Sequence, residues 1–209
     1  MTSAQLISWV VSAITFGTVI MFGCIGETIN QKAGNLNLGV PGIMQLGGIG
    51  ALTGAFIYES STATPNGTIG MICALLCAIL ASALGSLIYS FLTVTLKANQ
   101  NVTGLTLTIF GTGIANFFGG SLMKLSGGVG SISVATTANV FKLRLPFISG
   151  KLGLFGSLFL NYGWMAYFCL VLAFVANYFL TKTRTGLNLR AVGENPATAD
   201  AAGINVTKY

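Results

Sequence analysis

The sequence predicts an all-α polytopic membrane protein with about five transmembrane helices, and three observations carry that prediction. Charged residues make up 7% of the chain's 209, whereas a soluble domain carries about 25%. Hydrophobic residues reach 53% and the mean hydropathy is +0.80. The apolar residues run on for roughly the 20 that cross a bilayer as a helix, without the period-2 alternation of a barrel strand. Gly, Asn, Pro and Ser clusters separate the runs.

The first span, 6–25, follows an N-terminus with no basic leader and no small-residue cleavage site, so the helix is expected to stay with the protein. Next comes GETINQKAGNLNLGVPGIM, residues 26–44, with Glu27, Lys32, Asn30, Gln31, Asn35 and Asn37. In a plain loop these groups meet water. Inside a membrane-crossing element, Glu27 or Lys32 costs roughly 2.5–3.5 kcal/mol near the bilayer centre, tolerable only against a cavity or a partner. The mixture of Gly and apolar residues from Ala33 to Val40 favours a broken or re-entrant segment, where freed backbone groups and amides are available to polar solutes. Asn30, Asn35 and Asn37 are the first side chains assigned to that role.

The remaining spans are 39–58, 69–95, 104–122 and 163–181, and the connections are expected to be loop. Small residues recur along them: Gly50 with Gly54; Ala74, Ala78, Ser82 and Ser86; Gly111 with Ala115 and Gly119. Such stripes let helix backbones approach in lipid, and close packing explains them better than a substrate groove. In the fourth span, Thr106, Thr108 and Asn116 are polar, and Phe110, Phe117 and Phe118 offer faces to a base; lipid or helix contact explains the phenylalanines as well.

With the N-terminus outside, Lys32, Lys97, Lys182, Arg184, Arg190 and Lys208 lie inside and Lys124, Lys142, Arg144 and Lys151 outside. The strongest vote comes from TKTRTGLNLR after the last span, which places the tail in the cytoplasm. The ten bases are scattered singly, so the +6 charge reads as topology, and membrane lipid rather than nucleic acid is the expected partner. There is no His, and Cys24, Cys73, Cys77 and Cys169 sit in apolar runs, so small buried thiols are expected and no metal site. The external segment, 123–162, contains SGGVGS, which lacks the Lys-Ser/Thr and helix start of a phosphate loop. No nucleotide-binding motif occurs anywhere, nor any nucleophile–base pair or carboxylate dyad, so the chain is not expected to be an enzyme.

The tail holds the most specific local signal. Asn195 is a good N-cap, Pro196 fits the first helical position, and Gly203 stands where the chain leaves. A helix this short is marginal alone in water, so it is held by the parent fold or pressed into a partner; a plain capped loop helix is the alternative.

The stretch GLNLRAVGENPATADAAGIN resembles the cytoplasmic coupling region of ABC importer permeases of the branched-chain amino acid, sugar and nucleoside class. Three further stretches agree in order: GETINQKAGNLNLGVPGIMQLGG, FLTVTLKANQNVTGLTLTIFGTG and TRTGLNLRAVGENP. The pattern looks most like the second permease subunit of a nucleoside (simple sugar) importer. That resemblance implies a single permease domain over 1–209, multi-pass in the bacterial cell membrane. It implies three partners: a second permease subunit, an ATP-binding subunit holding ATP and Mg, and an extracytoplasmic substrate-binding lipoprotein. This chain would hold no cofactor. Carried over position by position, Glu194, Asn195, Pro196, Ala197, Asp200, Ala201 and Gly203 would couple to the ATPase. The substrate pathway would draw on Glu27, Asn30, Asn35, Asn37, Thr108, Phe110 and Asn116, and Lys142, Arg144 and Lys151 would meet the delivery protein.

Two departures stand out. Pro41 replaces the family's usual Glu, removing a carboxylate and a backbone donor, and is expected to affect the local kink or ligand set. Family members also continue with more helices beyond GINVTKY, so this chain is expected to be part of a longer subunit. A secondary transporter is the rival class, but it normally needs acids or His within the membrane, where only Glu27 qualifies. A passive channel leaves the tail unexplained.

Overall fold

The computed structural model describes residues 3–125, 132–143 and 162–206. Five helices are long and apolar enough to cross a membrane: Gln5–Lys32, Val40–Ser61, Gly67–Thr95, Gln100–Leu125 and Trp164–Lys182. They overlie the five predicted spans, each extended at one or both ends. In chain order the elements are α1 (Ser3–Lys32), α2 (Val40–Ser61), α3 (Gly67–Ser90) closing in a π turn (Phe91–Thr95), and α4 (Gln100–Leu125). Then follow α5 (Ala135–Phe141), α6 (Trp164–Lys182), α7 (Arg184–Glu194) and α8 (Pro196–Ala201).

The extra length comes from end signals that hydropathy does not see. Asn66 caps α3, its side chain accepting from the Thr68 amide at 3.0 Å. Asn99 caps α4, accepting from the amides of Asn101 and Val102 at 3.0 and 3.2 Å. At 1.5 Å per residue the 30 residues of α1 reach about 45 Å, past a hydrocarbon core of about 30 Å, so its polar last turns can leave the hydrocarbon as helix. Glu27 and Asn30 therefore belong to α1. The non-helical interruption covers only 33–39, not 26–44, and membrane-length helices flank it on both sides. Two stretches expected as loop are helical, α5 and α7. Their hydrophobic content is too low or their length too short for a span, but neither property prevents helix formation against a neighbour.

The chain divides into two compact units, Asn37–Phe141 and a second comprising Met1–Leu36 with Lys142–Tyr209. In the first, α2 packs on α3 and α4 through missing side chains. A methyl at Gly50 would lie 2.8 Å from the Cys77 carbonyl oxygen, and one at Gly54 would lie 2.7 Å from Cys77 Sγ. On the other face, a methyl at Gly42 would meet the Leu107 carbonyl, and one at Gly111 would meet the Gly42 backbone. The stripes expected at Gly50/Gly54 and Gly111 are thus crossing points. Gly119 is not one, having only Ile49 Cδ1 at 3.8 Å. Of the α3 stripe, Ala74 is buried and Ser86 is exposed. At the far end of α2, Glu59 Oε1 accepts from the Thr137 amide at 2.7 Å, and the Thr137 side chain would be struck by any methyl at Gly70. One of the chain's four acids thus ties α5 to α2.

In the second unit, α1 and α6 run parallel. The Cys169 thiol faces the Thr18 carbonyl at 3.9 Å, and Phe22 meets Phe168 with ring centroids 6.3 Å apart. Cys169 is wholly buried there, as expected of a small thiol, whereas Cys73 and Cys77 are half-buried and Cys24 is exposed, contrary to that expectation, because their helix faces look at least partly outward. Elsewhere large apolar side chains face outward, Phe16 at 72% and Ile109 at 75% exposure, which suits helices solvated by lipid.

Replacing Gly111 with Val should separate α2 from α4 and lower the yield of monodisperse protein in detergent, since overpacking costs about 1–3 kcal/mol or more. Gly113→Ala, with open space around it, should leave the elution profile unchanged or raise the melting temperature. Equal behaviour of the two variants in fluorescence-detected gel filtration would contradict the crossing.

Candidate functional site

The tail builds as its residues dictate. Thr183 caps α7, its hydroxyl accepting from the Gly186 amide at 3.0 Å, and a methyl at Gly186 would strike the Phe179 carbonyl, so α7 turns sharply off α6. Asn195 separates α7 from α8 in an extended conformation (φ −155°), and its side chain accepts from the Thr198 amide at 3.1 Å. Pro196 occupies the first turn, where its missing N–H has no intrahelical acceptor. At the far end Gly203 adopts φ +83°, and the amides of Gly203 and Ile204 bond Asp200 O and Ala199 O at 2.9 and 3.0 Å. That is a Schellman stop, which requires a left-handed residue.

The short rod is the one expected from Asn195, Pro196 and Gly203. Ala199 is buried beneath it, whereas Glu194, Asn195, Pro196, Ala197, Asp200, Ala201 and Gly203 are exposed. Pro196, Ala197, Asp200 and Gly203 border a shallow concavity of about 640 Å³ completed by Ile204, Asn205 and Val206. Those last three were not singled out from sequence; they lie beyond the stop, where only the fold returns the chain to the rod.

The base of the rod touches the end of α1. Gly34 has φ +85° and ends α1 with another Schellman stop, the Asn35 amide bonding Asn30 O at 3.2 Å. A methyl at Gly34 would lie 2.9 Å from Gly193 O, and one at Gly193 would lie 2.7 Å from Gly34 N. Two backbones thus cross at two glycines, one residue before Glu194 and one before Asn35. Sequence reasoning passed over both, although a Gly just after a basic last turn is a stop signal that marks Gly34.

The predicted pathway residues divide between the units. In the second unit, Glu27 accepts from Asn30 Nδ2 at 3.4 Å within α1, and Asn35 Oδ1 is buried without a hydrogen-bond partner among the described residues. In the first unit, Asn37 Oδ1 accepts from the Gly39 amide at 2.8 Å, an Asx turn leading into α2. Thr108 Oγ1 donates to Leu38 O at 2.8 Å, and a methyl at Gly104 would lie 2.8 Å from Leu38 N. Residues 37–39 are therefore fastened to α4. Asn37 spends its carbonyl oxygen on its own backbone. Pro41, expected to affect the local kink or ligand set, falls in the first turn of α2, where its missing N–H costs no intrahelical hydrogen bond.

Phe110 does not join Asn37 and Thr108. It borders a separate apolar groove with Tyr89, Leu92 and Thr106. Asn116 is exposed two turns along α4, near Phe117 and Phe118, whose rings meet edge to face at 5.5 Å. Lys142 is exposed just after α5, and Arg144 and Lys151 lie outside the described residues.

Five membrane-length helices, an interruption between the first two and a capped rod past the last are the parts of an integral membrane permease. Residues 9–209 match the family described as the permease component of branched-chain amino acid transport systems, and the chain belongs to that family. Over 204 residues (95% of the chain) it is 31% identical to a Haloferax volcanii protein, TsgC13, provisionally named a glucose ABC transporter permease. Over 201 residues (96% of the chain) it is 29% identical to the nucleoside ABC transporter permease protein NupC of Lactococcus lactis subsp. cremoris. The guanosine ABC transporter permease protein NupQ of Bacillus subtilis is 27% identical over 210 residues (100% of the chain). The chain spans 55%, 60% and 63% of these relatives' own lengths. No solved structure matches it.

Asn195→Ala should free the Thr198 amide and cost the rod about 1 kcal/mol, with Asn195→Asp close to wild type. Amide hydrogen exchange over residues 196–202 checks this, and unchanged protection in Asn195→Ala would count against the cap.

Proposed function

We propose that this chain is a membrane-spanning part of an ATP-driven importer that takes up nucleosides, with α8 as the element through which a partner ATPase acts. The carrying observation is the capped, outward-facing rod whose base crosses the end of α1 at Gly193 and Gly34. A push on α8 reaches Asn35 through a joint with no side chain to absorb it. Kinship with NupC and NupQ favours nucleosides, and the 31% identity to TsgC13 keeps a sugar as the second reading.

In this reading the tail side is cytoplasmic. A separate subunit binds ATP and Mg, a second permease subunit completes the path, and an extracytoplasmic lipoprotein delivers the solute. Glu194 and Asp200 face basic groups of the ATPase. Exposed pairs are worth only ~0–1 kcal/mol, so burial of the rod in a groove supplies most of the coupling. Asn35 is the stronger candidate for contact with the solute, because its buried Oδ1 has hydrogen-bonding capacity that Asn37 uses on its own backbone. Lys142 serves the delivery protein together with Arg144 and Lys151.

The test is uptake of labelled guanosine and glucose by the assembled transporter in proteoliposomes. Ala201→Trp should leave the permease folded and abolish substrate-stimulated ATP turnover; full stimulation would refute docking at the rod. Asn35→Leu should lower uptake at least tenfold with assembly intact, and undiminished uptake would remove Asn35 from the path.

A further inference from the structure

A second cavity, of about 360 Å³, opens beside the α1–α6 contact and is lined by residues the permease reading does not use. From α1 it takes Ile25, Thr28 and Lys32; from α6 Ala173, Ala176, Asn177, Leu180 and Thr181; from α7 Arg190. Because α1 and α6 run parallel, the lining is graded along their common direction. Ile25, Ala173 and Ala176 come first, Thr28 and Asn177 next, and Lys32, Thr181 and Arg190 last. Seven residues separate Ile25 from Lys32, about 10 Å at helical rise. The passage from apolar wall to two cations therefore takes place over the distance in which a bilayer passes from hydrocarbon to headgroups.

Charge and hydrogen bonding define the polar end. Arg190 is half-buried, and its Nε is wholly enclosed with no described residue accepting a bond from that nitrogen. A guanidinium stays protonated, and a buried donor without an acceptor is costly. Among the described residues no carboxylate lines the cavity, and Glu27, elsewhere on α1, is hydrogen-bonded to Asn30. The Thr28 and Thr181 hydroxyls spend their hydrogens on the Cys24 and Asn177 carbonyls, each at 2.7 Å, so the two positive groups and the Asn177 amide are the donors that constitute a site for an oxyanion. The apolar floor selects one that carries a hydrocarbon chain.

We propose that this groove binds an anionic phospholipid, its headgroup phosphate held by Arg190 and Lys32 and the start of an acyl chain lying along Ile25, Ala173 and Ala176. The bound lipid bridges α1, α6 and α7, and so supports the base from which α8 projects. The proposal is independent of which solute is carried and of whether α8 meets an ATPase.

Native mass spectrometry of the full-length permease, released from detergent with dioleoyl phosphatidylglycerol or phosphatidylcholine, tests it. The wild type should retain phosphatidylglycerol selectively, with affinity about fivefold weaker in Lys32→Gln and more than about tenfold weaker in Lys32→Gln/Arg190→Gln, given the worth of one base at an anionic surface. Millimolar inorganic phosphate should not displace the lipid. Equal retention of the two lipids, unchanged retention in a folded Lys32→Gln variant, or full displacement by phosphate alone would each overturn the proposal. Lys32 is exposed, so its variant should fold even where loss of Arg190 does not allow folding. Ala176→Phe should expel the lipid while leaving both charges in place, and selective retention by that variant would overturn the acyl-chain placement.

Discussion

In lipid, apolar side chains gain nothing by leaving the solvent, so helices hold together by close packing, which small residues permit, and by hydrogen bonds between them. The backbone crossings described for this chain follow from that constraint. Gly42 against Gly111, Gly50 and Gly54 against Cys77, Gly186 against Phe179 and Gly34 against Gly193 are places where one Cβ would strike a neighbouring atom. Dispersion falls steeply with separation, so a glycine at a crossing matters more than a leucine facing the bilayer. The same rule explains why so few side chains are fully buried while so many large apolar ones point outward.

At the tail the rule has a mechanical consequence. Flexible side chains between two elements would absorb a displacement by changing rotamer; backbone against backbone cannot. The Gly34–Gly193 crossing joins the base of the rod to the last turn of α1, and both partners are fixed by helix ends, a Schellman stop on one side and the α7–α8 break at Asn195 on the other. The proposed drive from outside the membrane would need a stiff connection of this kind. A structural helix bundle has no need of one.

Much of this was legible in the residues. The five spans follow from apolar length, and the rod follows from Asn195, Pro196 and Gly203, whose hydrogen bonds all close within about five residues. Legibility was poorer at 26–44. The Gly and apolar mixture from Ala33 to Val40 suggested a break, and the interruption falls there, at 33–39; the polar GETINQK, counted within the broken segment, lies on α1, because an α-helix satisfies its own backbone regardless of side-chain polarity and ends at a stop signal, here Gly34. The grouping of pathway residues was poorer still. Asn37 and Thr108 converge across 71 positions, while Phe110, two residues further on, borders another groove, and nothing local to α4 distinguishes the two.

The sequence by itself determined the solvent of this protein, the number and rough extent of its spans and the shape of its tail, since composition and capping act between near neighbours along the chain. Only the tertiary structure decided which glycines meet, that α1 and α6 run side by side in the same direction, and that Lys32 and Arg190 share one cavity. Those pairings bring together residues from 69 positions apart (Gly42 and Gly111) to 159 (Gly34 and Gly193), and helical periodicity carries no information about a partner at that distance.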